Sequence, residues 1–153
     1  SYTIAWWQRM GAQAPQAAVK LLDLADLAVT TGTALGTSGL IVEVGPFLQL
    51  SRFFSTTPVH LPQRWVHVAL TVDLASRRVQ LFVDGQPEPA WSIPAATQSV
   101  GLFQRLAFGA DQLGRDRASA WFDLDELRYL PRVLTAAEIL ALQSGDDIRV
   151  APM

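Results

Sequence analysis

Acidic residues near the C-terminus are the clearest candidates for catalysis. Asp123 and Asp125 occupy alternate positions of the strand-like run 122–130, so a strand would place both carboxylates on one face. A retaining glycosidase needs an acid and a nucleophile about 5–5.5 Å apart, and alternate side chains of one strand offer roughly that separation. In the competing interpretation, which we favour, these are ordinary surface acids and Glu126 pairs with Arg128.

Other catalytic chemistries lack the residues they need. There is no cysteine, and His60 and His67 are the only histidines, so thiolate catalysis and multi-histidine metal sites are excluded. His67 is interpreted as a partly buried sheet residue rather than a general base. The run Gly36 to Gly39 is not a Gly-x-Ser-x-Gly elbow and is interpreted as a turn. We therefore expect no catalytic residues.

Aromatic rings offer a second route to function, because sugars stack on tryptophan and exposed rings often serve binding. Trp91 lies in a proline-rich stretch between Glu88 and Ser92, and is the strongest candidate. The alternative is that Trp91 packs under its own prolines. Further candidates for ligand binding are Trp6, Trp121 and, in the charged loop 111–119, Arg115. For Trp6 and Trp121 the alternative is that the rings fill a gap in the packing.

Composition limits the classes of protein and partner. A chain of 153 residues, half of them hydrophobic, is the size of one domain with a substantial core, and ten glycines and nine prolines suit short strands joined by turns. The net charge of −2 argues against a nucleic-acid partner. No apolar run is long enough for a transmembrane helix, because Lys20, Asp23 and Asp26 interrupt the longest candidate.

A β-hairpin over 64–85 organises the sequence. Branched aliphatic residues occupy every even position from Val66 to Val72, and Val79, Leu81 and Val83 repeat the pattern on the return strand. This period of two indicates strands with one buried face. Polar residues connect the two strands, and Asp84-Gly85 predicts a tight turn at the far end.

Three stretches carry a resemblance to a known family. The hairpin has a Trp, an alternating apolar strand, an Asp and a strand that ends in Val-Asp-Gly. The second stretch is Tyr-Thr-Ile-Ala-Trp-Trp near the start of the chain. The third, Leu124 to Glu138, contains Asp-Glu-Leu-Arg-Tyr followed by a Thr-x-x-Glu motif. Together they resemble the laminin-G-like family of concanavalin-A-like β-sandwiches. Trp7 falls on the family's tryptophan, whereas Trp6 replaces a small residue. The resemblance implies core positions for Trp7 and Trp65.

The resemblance implies an all-β fold, a two-sheet antiparallel jelly-roll sandwich with one short C-terminal helix. Thr135 and Glu138 are spaced as a capping box for that helix, with Ile139, Leu140 and Leu142 as its apolar stripe. We expect residues 1–153 to form a single domain, excised from a larger protein, with an edge strand left open.

Two segments are ambiguous by pattern alone. Residues 16–30 could form a helix, but the family favours two strands separated near Ala25-Asp26. The proline-punctuated stretch 86–97 cannot be a central strand. The family also implies a possible calcium site at the rim of the sandwich, for which Asp111 and Asp116 are the candidate ligands, although Arg115 and Arg117 between and beside them make it weak. No other cofactor is expected.

The expected function is a non-catalytic binding module of a larger exported bacterial protein that recognises a carbohydrate or a protein. The expected location is secreted, periplasmic or in the cell envelope. A structural spacer that packs against neighbouring domains is the alternative. A glycoside hydrolase is the third and least favoured function, because the glycanase pattern of Glu-x-Asp-x-Glu type is missing.

Overall fold

The structure, a computed structural model, describes residues 1–11, 20–23, 27–32, 39–44, 51–59, 61, 63–94, 107–108 and 122–145. Eleven strands and one helix are found among them. They are β1 Tyr2–Met10, β2 Lys20–Asp23, β3 Leu27–Gly32, β4 Gly39–Val44, β5 Ser51–Phe54, β6 Trp65–Asp73, β7 Arg78–Val83, β8 Gln86–Pro87, β9 Trp91–Ser92, β10 Ala107–Phe108, β11 Phe122–Leu130 and α1 Ala136–Gln143.

The strands form two antiparallel sheets. The six-stranded sheet has the order β11-β1-β6-β7-β8, with β9 also paired to β7, and the five-stranded sheet has the order β10-β2-β3-β4-β5. The expected all-β sandwich with one short helix is confirmed. The ambiguous segment near residue 25 forms β2 and β3, as the resemblance implied. The described part of the stretch after Gly85, residues 86–94, forms β8 and β9. Both strands pair with β7 and neither is a central strand of the sheet.

The main core lies between the two sheets. Aliphatic side chains at the even positions of β6 are at most 1% exposed, and those at the odd positions of β7 are at most 5% exposed. Leu40, Val42 and Val44 of β4 belong to the same buried cluster, so the inner faces of both sheets pack together. Burying each such side chain contributes about 1.5–3 kcal/mol, which explains why the period-two pattern determines the inward face.

A second, smaller core lies on the outer face of the six-stranded sheet. Ile139 and Leu142 of α1 pack with Ala5, Ala69, Phe82 and Leu130, which are side chains that point away from the main core. Leu140 was expected in the apolar stripe of α1 but is 47% exposed. The helix thus covers one part of this outer face.

The N-terminus of α1 has the expected capping box. Glu138 N–H donates to Thr135 Oγ1 at 3.3 Å, and Thr135 N–H donates to Glu138 Oε2 at 2.8 Å. The Arg132 guanidinium, 2.7 Å from Glu138, and the Thr135 hydrogen bonds lower the pKa of Glu138 to about 2. The cap therefore holds a charged carboxylate at neutral pH.

We expect Thr135→Ala to lower the free energy of unfolding by about 1 kcal/mol, because it removes the oxygen that accepts from the Glu138 amide. Urea denaturation of the two proteins measures the change. Thr135→Ser keeps the acceptor and should retain most of the stability. Equal stability of the alanine variant and the wild type would contradict a contribution from the cap.

None of the described helices could cross a membrane, since α1 has only eight residues.

Candidate functional site

The part of the six-stranded sheet's outer face beyond α1 carries aromatic and charged side chains on three adjacent strands. Register places Arg9 of β1 opposite both Asp123 of β11 and Trp65 of β6. In the next row, Trp7 lies opposite Asp125 and His67. We call this surface the Trp65 face and define it by the side chains of Trp7, Arg9, Trp65, Asp123 and Asp125.

Trp65 is the exposed aromatic ring of this face. It is 37% exposed, although the resemblance implied a core position, so that expectation is wrong. The Arg9 guanidinium lies 4.9 Å from the centre of its ring. Arg9 Nε also donates to Asp123 Oδ2 at 2.9 Å, so one arginine joins the ring to a carboxylate across three strands.

A second arginine–aspartate pair includes Arg64, the residue before Trp65. Arg64 Nη2 donates to Asp84 Oδ2 at 3.1 Å. Asp84 is held by a type I′ turn, since Asp84 and Gly85 have φ of 49° and 75° between the paired residues Val83 and Gln86. This pair therefore connects the residue before Trp65 to the β7–β8 turn.

The turn is also packed against the helix. A Cβ built on Gly85 would approach the Gln143 side chain to 2.5 Å and Leu140 to 2.8 Å. The left-handed φ and this close approach both require glycine. The turn that contains Asp84 therefore packs directly against α1.

His67 lies under this face as a buried residue. It is 3% exposed, its ring centre is 5.1 Å from that of Trp7, and its backbone N–H donates to Asp84 Oδ1 at 2.9 Å. Burial lowers the pKa of His67 to about 4, against the opposing effect of the Asp84 charge. Its Nδ1 has no hydrogen-bond partner among the described residues. The prediction that His67 is a buried residue of the sheet is thus correct. Because its neutral ring is buried, His67 has a structural role.

The acidic run of β11 is shaped by a β-bulge. The register with β1 shifts between Ala5 and Trp7, and Glu126 in the bulge has φ of 47°. Asp123 and Asp125 share the outer face, as expected, but Asp123 is engaged by Arg9. Asp125 accepts a hydrogen bond from the Glu126 N–H at 2.8 Å.

The expected surface pair of Glu126 and Arg128 is present, with 3.4 Å between Oε2 and Nη2. Both carboxylates of the proposed catalytic pair are exposed. This solvated setting is typical of surface acids rather than of a general acid, which needs burial to keep its proton at neutral pH.

Trp91, the strongest candidate from sequence, lies at the edge between the sheets. It belongs to β9, and its ring stacks on Phe53 of β5 at 5.1 Å with an interplanar angle of 7°. Trp91 is partly buried and packs against the main core. It therefore joins the two sheets, and only part of its surface is available to a ligand.

Glu88 reinforces the same edge and was not singled out from sequence. Its carboxylate accepts hydrogen bonds from the Thr56 N–H and hydroxyl and from the Thr57 N–H, at 2.6 to 2.8 Å. Burial opposes ionisation of Glu88, but these hydrogen bonds outweigh it and hold its pKa below the usual value. A buried acid beside prolines carries no recognisable sequence signal, because its partners lie 31 and 32 residues away.

Trp6 was expected to contribute to ligand binding, and the structure corrects this. It is 1% exposed within the main core, and its Nε1–H donates to Gln8 Oε1 at 2.9 Å. Trp7, expected in the core, points to the outer face instead. Trp6 therefore faces the core and Trp7 faces outward, the reverse of the expected arrangement. The reason is that the even positions of β1 face inward, as Ile4 does.

The remaining predicted site residues lie outside the described residues: Trp121, Arg115, and the calcium candidates Asp111 and Asp116. They stay predictions. Within the described ranges no group of three His, Asp or Glu side chains is placed to hold a metal ion.

Arg9 and Trp65 were missed as site residues, although the sequence carries a signal for them. Trp65 occupies an odd position in β6, opposite in phase to the buried Val66 and Val68. An aromatic residue out of phase with the core positions of its strand points to the other face of the sheet.

Comparison with known proteins gives one family and a set of similar structures. Residues 1–140 match the model described as the concanavalin A-like lectin/glucanases superfamily. A search of curated proteins finds no match.

Among solved structures, the receptor binding domain of botulinum neurotoxin D is similar with a TM-score of 0.76, 9% identity and 94% of this chain covered. The type G receptor binding domain has a TM-score of 0.69 and 12% identity over 94% of this chain. The binding domain of Paraclostridial Mosquitocidal Protein 1 has a TM-score of 0.72 and 13% identity over 94%. The chain spans 37% of the length of each. At these identities the likeness shows the fold.

Proposed function

Since the chain belongs to the concanavalin A-like lectin/glucanase superfamily, we propose that it is a non-catalytic recognition module that binds its ligand on the Trp65 face. One observation carries the proposal. An exposed tryptophan ring lies beside the Arg9–Asp123 ion pair on the outer face of the six-stranded sheet. Rings held by strand register are well suited to recognition, because little side-chain freedom is lost on binding.

The environment of the acidic residues supports a non-catalytic role. The Asp123 side chain is 58% exposed and bonded to Arg9, and Asp125 is bonded to the backbone. A hydrolase of the carboxylate-pair type needs one acid kept protonated by its surroundings.

We propose further that the module acts in an exported or cell-envelope protein with additional domains, and that its ligand is a carbohydrate or a protein. The similar structures are described as receptor binding domains of neurotoxins and a binding domain of a mosquitocidal protein, which supports recognition of an external ligand. The net charge of −2 disfavours nucleic acid as the partner.

A glycan array probed with the fluorescently labelled chain tests this function. We expect the wild type to bind at least one glycan and Trp65→Ala to lose that binding, because the variant removes the exposed ring. The matched control is Phe54→Ala, which removes a 45% exposed ring from the five-stranded sheet and should bind normally. Binding that survives Trp65→Ala, or no binding to glycans or protein ligands, would contradict the proposal.

The same preparation tests the hydrolase alternative through release of reducing ends from polysaccharides. We expect none from the wild type. Release that Asp125→Asn abolishes would favour a glycanase.

Exposed apolar side chains on β11 favour a second candidate function, a spacer that packs against neighbouring domains. Leu127 is 37% exposed and Tyr129 is 45% exposed. If they contact another domain, amide hydrogen exchange at 127–129 should be slower in the full-length protein than in the isolated chain. Equal exchange rates would count against the spacer.

A further inference from the structure

A second binding position lies next to Trp65 on the same outer face. We propose that Trp7 and Asp125 form a site for a basic segment of a protein partner, in which one arginine of the partner stacks on the Trp7 ring and pairs with the Asp125 carboxylate. The inference goes beyond the proposed function, because it concerns a protein partner and two side chains other than Trp65.

The protein itself shows how such an arginine is held. In the row next to Trp7, the Arg9 guanidinium lies 4.9 Å from the centre of the Trp65 ring, and Arg9 Nε donates to Asp123 Oδ2 at 2.9 Å. The face of an indole ring attracts a guanidinium group, and a carboxylate beside it adds a charge-assisted hydrogen bond. One arginine is therefore bound jointly by a tryptophan and by an aspartate of β11.

The neighbouring row repeats the tryptophan and the aspartate. Register places Trp7 of β1 opposite Asp125 of β11, so the two side chains leave the sheet on the same face. Opposed residues of antiparallel strands have Cβ atoms about 4.5–5.5 Å apart, so one guanidinium above the sheet can contact both groups. Within the described ranges, no arginine or lysine stacks on Trp7 or pairs with Asp125. A partner can supply the cation that this row lacks.

A β-bulge orients the Asp125 carboxylate. The register between β1 and β11 shifts just beyond this row, and Glu126 has a left-handed φ of 47°. A bulge leaves its extra residue unpaired with the neighbouring strand. The Glu126 N–H donates to Asp125 Oδ1 at 2.8 Å, so the carboxylate is fixed while Oδ2 can accept from a second donor. An acceptor that is already oriented loses little freedom on binding.

Charge favours a cation at this position. Two of the three acids on this part of β11 are matched by arginines, Asp123 by Arg9 and Glu126 by Arg128. Asp125 is the exposed acid that no cation matches in the described part of the chain. The net charge of −2 on the whole chain acts in the same direction, because it attracts a positively charged partner over a longer range.

The support under Trp7 is uncharged at neutral pH. The ring lies against His67, with ring centres 5.1 Å apart, and His67 is 3% exposed. Burial lowers the pKa of His67 to about 4, so it does not repel a cation on the outer side of Trp7. Arg128 is a positive group close enough to act on His67, and its guanidinium is paired with Glu126 at 3.4 Å.

A peptide segment fits the wider surface better than a small cation does. Trp65 is 37% exposed and is the diagonal neighbour of Trp7 across β1 and β6, a separation of about 7–8 Å. Alternate residues of an extended peptide are about 6.8 Å apart on one side of the chain. The arginine can therefore lie on Trp7 while an apolar residue two positions away contacts Trp65. Tryptophan and arginine are also enriched among the residues that dominate protein interfaces.

Phage display of random dodecapeptides on the immobilised chain tests the inference. We expect the enriched peptides to share an arginine, with an apolar residue two positions from it. The most enriched sequence is then synthesised with arginine and with citrulline, which has a similar shape and no charge. Titration calorimetry should show at least about tenfold weaker binding of the citrulline peptide. Raising the salt concentration should weaken binding of the arginine peptide, because exposed charges are screened.

Variants of the chain assign the effect to the two side chains. Asp125→Asn should weaken binding of the arginine peptide by about tenfold and remove its advantage over the citrulline peptide, because the charge pair is then absent from both. Trp7→Leu keeps an apolar cover over His67 but lacks the aromatic face, and should also weaken binding. The matched control is Glu43→Gln, which removes one negative charge from the five-stranded sheet and should leave binding unchanged.

The outcomes separate this inference from the proposed function. No enriched peptide, enrichment without a shared arginine, equal binding of the two peptides, or binding that Asp125→Asn leaves intact would each overturn the arginine site. The proposed function would still stand if Trp65→Ala removes glycan binding. Glycan binding that survives Trp65→Ala would contradict the proposed function and leave the arginine site standing. Thermal unfolding of each variant verifies that it is folded.

Discussion

Replacing Trp6 by alanine is expected to lower the free energy of unfolding by about 3–5 kcal/mol, the range for truncating a buried large aromatic side chain. Trp6 is 1% exposed and packs in the main core, where its partner in register is Val68. The variant leaves a cavity that the surrounding strands cannot close without losing register. It also removes the donor that bonds Gln8, which is itself 1% exposed.

Guanidinium denaturation measures this effect, and two further variants interpret it. Trp6→Phe keeps a buried aromatic ring but removes the indole N–H and part of the apolar volume, so its loss of stability should lie below that of the alanine variant, with about 1–3 kcal/mol of it from the buried Gln8 acceptor that loses its indole donor. Trp65→Ala, at an exposed position, should cost much less stability while it removes ligand binding. A loss below about 1 kcal/mol for Trp6→Ala would contradict its core position, since such values are typical of surface sites.

Stability should fall between about pH 6.5 and pH 4 because of His67. Its folded pKa of about 4 lies below the ordinary value of 6.5, so the unfolded chain takes up the proton first. The stabilisation by the neutral ring is complete above pH 6.5, decreases as pH falls, and is lost near pH 4. The difference between the two pKa values corresponds to at most about 3 kcal/mol.

The groups around His67 account for this direction. Burial under Trp7 disfavours the charged ring, and the positive charge of Arg128 acts the same way. The negative charge of Asp84 opposes both, but less strongly than burial. An imidazolium here would also leave a charged Nδ1–H without an acceptor, because Nδ1 has no partner in the described part of the chain.

Urea denaturation at several pH values measures the effect, with His67→Leu and His67→Gln as variants that cannot titrate. Both should show a flatter dependence than the wild type between pH 6.5 and 4.5, whatever their absolute stability. His60 is present in all three proteins and cancels in the comparison.

Glu88 acts at lower pH. Its folded pKa is depressed, so its contribution is present above its ordinary pKa of 4.5 and is lost only as pH falls further. Identical pH profiles for the wild type and both His67 variants would show that the ring is not the responsible group.

Much of the fold was predictable because it follows from local patterns. The hairpin and the capping box of α1 were both anticipated from the residues, whereas the strands on either side of residue 25 followed from the family resemblance. The first two depend on residues close in sequence, whose spacing encodes strand phase or helix capping.

The site was predicted much less well. Trp6 proved to be a core residue, and Trp91 joins the sheets by stacking on Phe53. The resemblance led us to expect Trp65 in the core, whereas its odd position in β6 indicated the opposite face. Strand phase was therefore a better guide to these rings than their family positions.

By itself the sequence determined which side of each strand of the 64–85 hairpin faces the core, because side chains alternate strictly along an extended backbone and only one face of each of these strands is continuously aliphatic. The two-sheet architecture was implied by the family resemblance. Only the tertiary structure decided that Arg9, Trp65 and Asp123 form one surface. These residues are tens of positions apart, and antiparallel register brings them into one row. The pairing of distant strands depends on the packing of the whole sandwich, which no local pattern specifies.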